Sequence, residues 1–227
     1  MRIARVVVGL FSLSPLGTIA AAQVAPHDLT PYLIADRAVE IALARSAAPR
    51  EISDSATVLV LTQRGYVEAA HGSNGFACLV LRGFSGSLST PSAWWNPRVR
   101  APLCLNPAAV RSALPEMTRR TTLVMAGVPD SDVVAREYRA YATRALPLPS
   151  GGAMAYMMSP RQYLSDTDPA WMPHIMFFYS GGHSGADWGA AGPTAPIIDG
   201  GTDSRSGFGI FLVPLPEWSD GTPFSRH

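Results

Sequence analysis

The sequence predicts an α+β fold: a single domain over residues 23–227, with a mainly antiparallel sheet of about five or six strands, about three helices and long loops. Three features point there. Helical segments opened by a cap residue and a proline alternate with groups of short β-rich runs. The first of these groups is joined by short turns. The second is separated by long connections rich in Gly, Pro and Asp, and the chain holds 20 Gly and 20 Pro, which work against long uninterrupted helices.

Residues 1–22 read as a cleavable export signal. Met1 to Arg5 carry a short basic start, Val6 to Ile19 an apolar middle, and Ala20 and Ala22 the small-x-small cleavage pattern, with Gln23 first in the product. Ser12, Ser14, Pro15 and Gly17 interrupt the apolar stretch, which falls short of the roughly 20 residues a permanent span needs. The mature chain is therefore expected in the periplasm or outside the cell, with no membrane span. The first cysteine is Cys78, which argues against lipid attachment at the cleavage point. A chain exported unfolded carries no cofactor inserted in the cytoplasm, and none is expected.

After a leader from Gln23 to Leu29, Thr30 and Pro31 open a helix expected to reach Ala47, with Asp36, Arg37, Glu40 and Arg45 on its polar side. The period then changes. Ala56–Leu61, Tyr66–Ala70 and Phe76–Leu81 read as three strands of an antiparallel meander, turning at Gln63–Gly65 and Gly72–Gly75. Arg82–Cys104 reads as irregular. Asn106 and Pro107 open a second helix, broken or restarted at Pro115 and stopped by Gly127. Asp130 or Ser131 caps a third, whose Val134, Tyr138, Tyr141 and Ala145 form a core-facing stripe. Ala153–Met158, His174–Tyr179 and Phe208–Pro214 read as three more strands, expected to join the earlier ones in one sheet.

Cys78 and Cys104 are the only cysteines, and export predicts that they pair. Their spacing is far from C-x-x-C, which argues against redox or metal chemistry. Removing the signal removes Arg2 and Arg5 and leaves a balance one unit negative, so nucleic acid is not an expected partner. The chain contains no Lys, which excludes Schiff-base chemistry and a phosphate-loop lysine.

The phrases ARSAAP, ATVLVL, GSNGFACLV, RAPLCLNP, AYMMS, PHIMFF and WSDGTP occur in that order along the mature chain. In this the sequence resembles a group of secreted bacterial proteins with the pattern SAAP, ATV, NGF-C or NGW-C, a second Cys, AYM and PH-M. No activity is established for that group. The resemblance implies a secreted single-domain protein and carries no catalytic residue across.

Four residues are candidates for binding: His174, Asn74, His183 and Trp188. His174 with Met154, Met157, Met158 and Met176 has the ligand types of a copper or haem site. The competing reading is a strand-end histidine among core methionines. Asn74-Gly75 reads first as a hairpin turn. Asp166 with Asp168, and Asp199 with Asp203, have calcium-type oxygens but not EF-hand spacing. Trp94, Trp95, Trp171, Trp188 and Trp218 fall in expected loops, either lining a groove for sugars or peptides or packing beneath the loops. Gly182-His183-Ser184-Gly185-Ala186 approximates a nucleophile elbow, which would make Ser184 a hydrolase nucleophile served by His174 or His183. The following Asp187–Pro193 is a poor helix, so Ser184 is not expected to act that way, and no catalytic residue or metal ligand is assigned. The expected role is binding an unidentified ligand or envelope protein through the long loops.

Overall fold

The computed structural model describes residues 27–86, 88, 94–190 and 195–225, so the expected export signal lies outside the described residues. The strands are β1 (Thr57–Thr62), β2 (Gly65–Ala70), β3 (Ala77–Leu81), β4 (Ala101–Leu105), β5 (Met154–Met157), β6 (His174–Tyr179), β7 (Ile198–Thr202) and β8 (Gly209–Pro214). They form one sheet of eight strands in the order β2-β1-β3-β4-β5-β6-β8-β7. The helices are α1 (Arg37–Arg45), α2 (Arg50–Ser53), α3 (Pro107–Ser112), α4 (Leu114–Met125) and α5 (Asp130–Ala142). The fold is α+β, and the expected strands do share one sheet. The sheet is larger than the expected five or six strands, and it is mixed.

The first correction is the meander. β1 and β2 form an antiparallel hairpin, but β3 runs parallel to β1 on its other side. Gly72–Gly75 is therefore a crossover and not a hairpin turn. The crossover passes tightly over the start of β1: a Cβ on Gly72 would lie 2.1 Å from the Thr57 nitrogen. Only glycine fits there.

The two unexpected strands escaped for different reasons. β4 contains Pro102, which argues against an interior strand. Cys78 and Cys104 are register partners with Cα atoms 4.0 Å apart, the spacing of a non-hydrogen-bonded pair. Pro102, two residues along and opposite Val80, shares that phase, so its nitrogen points away from β3. On that side β5 pairs only with Cys104 and Leu105, and the missing N–H costs no ladder bond. β7, with the sequence IDGGT, has almost no apolar signal and sits at the edge, paired with β8 alone.

Two helix expectations also change. Thr30–Tyr32 is a single 3-10 turn; α1 starts at Arg37, where Asp36 accepts from the Ala38 and Val39 nitrogens. The second helix restarts at Pro115 as expected: it divides at Ala113 into α3, capped by Asn106, and α4, with Pro115 in its first turn. On α5 the buried stripe is Val133, Glu137, Ala140 and Tyr141, one position off the expected one.

The strand alternation sorts the core into two faces. Val58, Val60, Cys78, Val80 and Cys104 face α1, which covers only the β1–β4 half. Leu79, Leu81, Leu103, Leu105, Ala155, Met157 and Phe178 face the opposite side, toward α3 and α4. Burying each large side chain there contributes about 1.5–3 kcal/mol. The disulfide Cys78–Cys104 staples adjacent strands at the middle of this core. No helix among the described residues is long and apolar enough to cross a membrane.

Candidate ligand-binding cavity

On the α4 side of the sheet, packing leaves a cavity of about 370 Å³. Its floor is Leu81 of β3, Leu103 of β4, Met157 of β5, Met176 and Phe178 of β6, and Ile210 of β8. These residues come together because each occupies the inward phase of its strand: Met176 lies opposite Ala155 and Leu212 in register. Met117 of α4 and Phe208 close the sides. Three methionines give this wall an adaptable, polarizable surface.

The polar end is built from α4 and two turns. Arg120 lines the cavity and is only 2% exposed. Its Nη1 donates to the carbonyls of Ser85 and Gly86, and its Nη2 to Glu116 one helical turn earlier. Its Nε has no partner. Asp203 also lines the cavity, but its oxygens are occupied: Oδ2 accepts from the Tyr138 hydroxyl at 2.6 Å, and Oδ1 from the nitrogens of Arg205 and Ser206. These bonds hold its carboxyl below the usual range, against the desolvation that would raise it. The Arg205 guanidinium lies 3.7 Å from the centre of the Tyr138 ring.

Behind this end, the Arg119 Nε donates to Glu137 Oε1 at 2.9 Å, while Glu137 Oε2 and the Tyr141 hydroxyl are buried without partners. Burial pushes the Arg120 pKa down and those of Glu137 and Tyr141 up. All three shifts favour the neutral form, as expected where desolvation outweighs pairing.

A second hollow of about 430 Å³ lies on the other face, beyond the reach of α1. Phe177 and Phe211 are register partners with ring centroids 4.9 Å apart. Trp188 stacks on Phe211 at 5.1 Å and is 44% exposed. His183 meets the Trp188 edge at 6.0 Å.

The four binding candidates therefore separate. His183 and Trp188 meet in this aromatic hollow. Asn74 is spent in the crossover: its Nδ2 donates to the Ile52 carbonyl and its Oδ1 accepts from the Phe76 nitrogen. His174 starts β6, 1% exposed, with Nδ1 2.8 Å from the Met172 carbonyl and Trp171 against its ring. Burial holds its pKa below the usual histidine value. The methionines proposed to join it are split. Met157 is its register partner and Met176 shares its side of β6, but Met154 projects from the opposite face. Among the described residues, no three His, Cys, Asp or Glu side chains are placed to hold a metal ion.

Ser184 caps the short 3-10 helix Gly185–Trp188. Its nitrogen and hydroxyl both donate to Asp187 Oδ2, at 2.7 and 3.3 Å. Asp187 also lies 3.8 Å from His183 Nδ1, so serine, acid and imidazole are neighbours, but the serine hydroxyl faces the acid. His174 stands at the far end of the six-residue β6, roughly 20 Å of strand away.

Sequence reasoning did not single out Arg120, Glu116 or Met117. The one available signal was the Glu116–Arg120 spacing of four on a helix, which reads equally well as a solvated surface pair. Compared with family models, curated proteins and solved structures, the chain finds no match in any of the three.

Proposed function

We propose that this chain is an exported, non-enzymatic binding protein that holds a small, largely apolar molecule in the cavity between α4 and the sheet. The observation that carries this reading is the cavity itself, with an apolar floor from five strands and a short polar end at Arg120, Glu116 and Asp203. That composition, at a volume near the low end of the ~300–1,000 Å³ usual for ligand sites, is typical of small-molecule pockets. Taking ~30 Å³ per water-sized group, it accommodates a ligand of about a dozen heavy atoms. Export is supported by the N-terminal signal pattern, by the Cys78–Cys104 disulfide and by the resemblance to the secreted bacterial group.

The test uses 4-(dimethylamino)benzonitrile, an uncharged reporter of about eleven heavy atoms whose emission rises when it leaves water. Purified wild-type protein should enhance its emission saturably, and Met117→Trp, which takes up part of the cavity, should weaken this. No saturable enhancement by folded wild-type protein would overturn the reading. Export is tested separately by mass spectrometry, with a mature N-terminus expected near Gln23.

A second reading places the ligand in the aromatic hollow. Trp188 lays one face on Phe211 while almost half of its surface meets solvent, which suits stacking of a sugar ring. A change in wild-type tryptophan fluorescence on adding neutral oligosaccharides, lost in Trp188→Ala, would favour it.

A further inference from the structure

We infer that the floor of this cavity holds a soft monovalent metal ion, Cu(I), on the thioethers of Met117, Met157 and Met176. The site goes beyond the proposed function in needing the cavity but no organic ligand in it. Three methionines from three separate elements, α4, β5 and β6, line the same cavity and pack in one cluster. Two of them are placed by the sheet. Met157 lies opposite His174 and Met176 opposite Ala155, so the two are diagonal neighbours on the inner face of adjacent antiparallel strands. Such neighbours stand about 7 Å apart, within reach of long side chains. Met117 approaches them from α4. Each side chain has three rotatable bonds, which lets the sulfurs close on an ion.

The chemistry of the donor set selects the metal. Thioether sulfur is soft and uncharged and suits Cu(I), whereas calcium and magnesium take oxygen and zinc takes imidazole or thiolate. Those donors are not gathered in threes among the described residues. Both cysteines are spent in the disulfide, so no thiol competes with the thioethers. The charge of the ion fits as well. The charged residues lining the cavity are Glu116, Asp203 and Arg120, two carboxylates against one guanidinium, so the lining is one unit negative. A monovalent cation neutralises it, while a divalent one would leave a buried excess of charge. His174 is not part of the set. Although it faces Met157 in register, its Nδ1 lies on the Met172 carbonyl, Trp171 packs against its ring, and it does not line the cavity.

The experiment is anaerobic titration of the purified protein with Cu(I), supplied as its acetonitrile complex and read by competition with the chromophoric chelator ferrozine. Wild-type protein should withdraw a single equivalent. Leucine conserves the volume of methionine, so Met117→Leu, Met157→Leu and Met176→Leu keep the packing while each deletes one sulfur. Each should weaken Cu(I) by about tenfold or more, since losing even an outer partner of a metal ligand costs about 10–100-fold. Met154→Leu, on the opposite face of β5, and His174→Gln should both leave the affinity within about twofold of wild type. Folded wild-type protein that withdraws no Cu(I), or an affinity unaltered in all three leucine variants, would overturn the site. A loss in His174→Gln as large as that in Met157→Leu would also overturn it, by moving the ion to the strand end. Because the leucine variants keep an apolar cavity, 4-(dimethylamino)benzonitrile should still bind them. Reporter binding without Cu(I) binding would overturn the metal site alone, and Cu(I) binding without reporter binding would overturn the organic-ligand reading alone.

Discussion

Glu40 of α1 and Arg82, the residue after β3, form an ion pair of 2.8 Å with side chains 1% and 0% exposed. The pair is part of a closed network. Glu40 Oε1 also accepts from the Leu61 nitrogen, and Arg82 donates to the carbonyls of Tyr32 and Val80. Tyr66 places its hydroxyl on the same Val80 carbonyl, and burial raises its pKa. The network ties α1 and the Thr30–Tyr32 turn to the central strands.

Removing one member of such a pair strands a buried charge, which typically costs about 3–5 kcal/mol. Glu40→Gln should lower unfolding stability by roughly that amount in urea titration at pH 7. Glu40→Leu combined with Arg82→Met should recover much of the loss, because neither charge is then left alone. A single-variant cost below about 1 kcal/mol would show that the pair is solvated.

The Cys78–Cys104 disulfide closes a loop with a sequence separation of 26. In the chain-entropy account a loop of that length is worth about 3–4 kcal/mol, through the unfolded state. The double variant Cys78→Ala, Cys104→Ala should lose about that much stability while retaining the same circular dichroism spectrum, since β3 and β4 keep their five register pairs. Two thiols titrating in the unreduced wild-type protein would rule the bridge out.

What could be read in advance was local. The β6 limits, the Asn106 cap, the Pro115 break and the Gly127 stop each follow from a few adjacent residues, and the structure keeps them. The parallel β1–β3 pairing was not legible, because Asn74-Gly75 carries a hairpin signal that the packing of Gly72 on Thr57 overrides. Glu40, Arg82 and Arg120 were hidden for another reason. A charged residue on a helix or beside a strand looks the same whether it meets water or a partner from a distant segment. Of the candidate sites, Met157, Met176 and Asp203 of the cavity stood out only as metal-ligand types, and the His183–Trp188 neighbourhood was visible because those residues are five apart in one loop.

His174 gives a pH prediction with a definite sign. Its folded-state pKa is depressed by burial, so the unfolded chain binds the proton more readily than the native one. Its contribution to stability is complete above the unfolded value of about 6.5 and is lost as the pH falls through that value toward the folded one. The melting temperature of wild-type protein should therefore drop more steeply between about pH 7 and pH 5 than that of His174→Gln, which has no proton to gain. Parallel curves for the two proteins would mean that the imidazole titrates normally.

Filling the cavity tests whether the space is real, because two opposed effects meet at Met117. In a fully packed core, a larger side chain forces strained rotamers and costs about 1–3 kcal/mol. Where there is a void, the added ring gains dispersion contacts that the lining otherwise lacks, and such changes commonly add about 0.5–2 kcal/mol. Met117 projects from α4 into the cavity beside Leu103, Met157 and Met176, which have conformational freedom to adjust around an indole. With about 370 Å³ available, the second effect should win. Met117→Trp in the ligand-free protein is expected to raise the melting temperature by about 2–6 °C, given roughly 2–4 °C per kcal/mol for a domain of this size. It should also weaken reporter binding. A lowered melting temperature, measured by calorimetry on delipidated protein, would mean that α4 packs directly on the sheet and that the binding reading has lost its cavity.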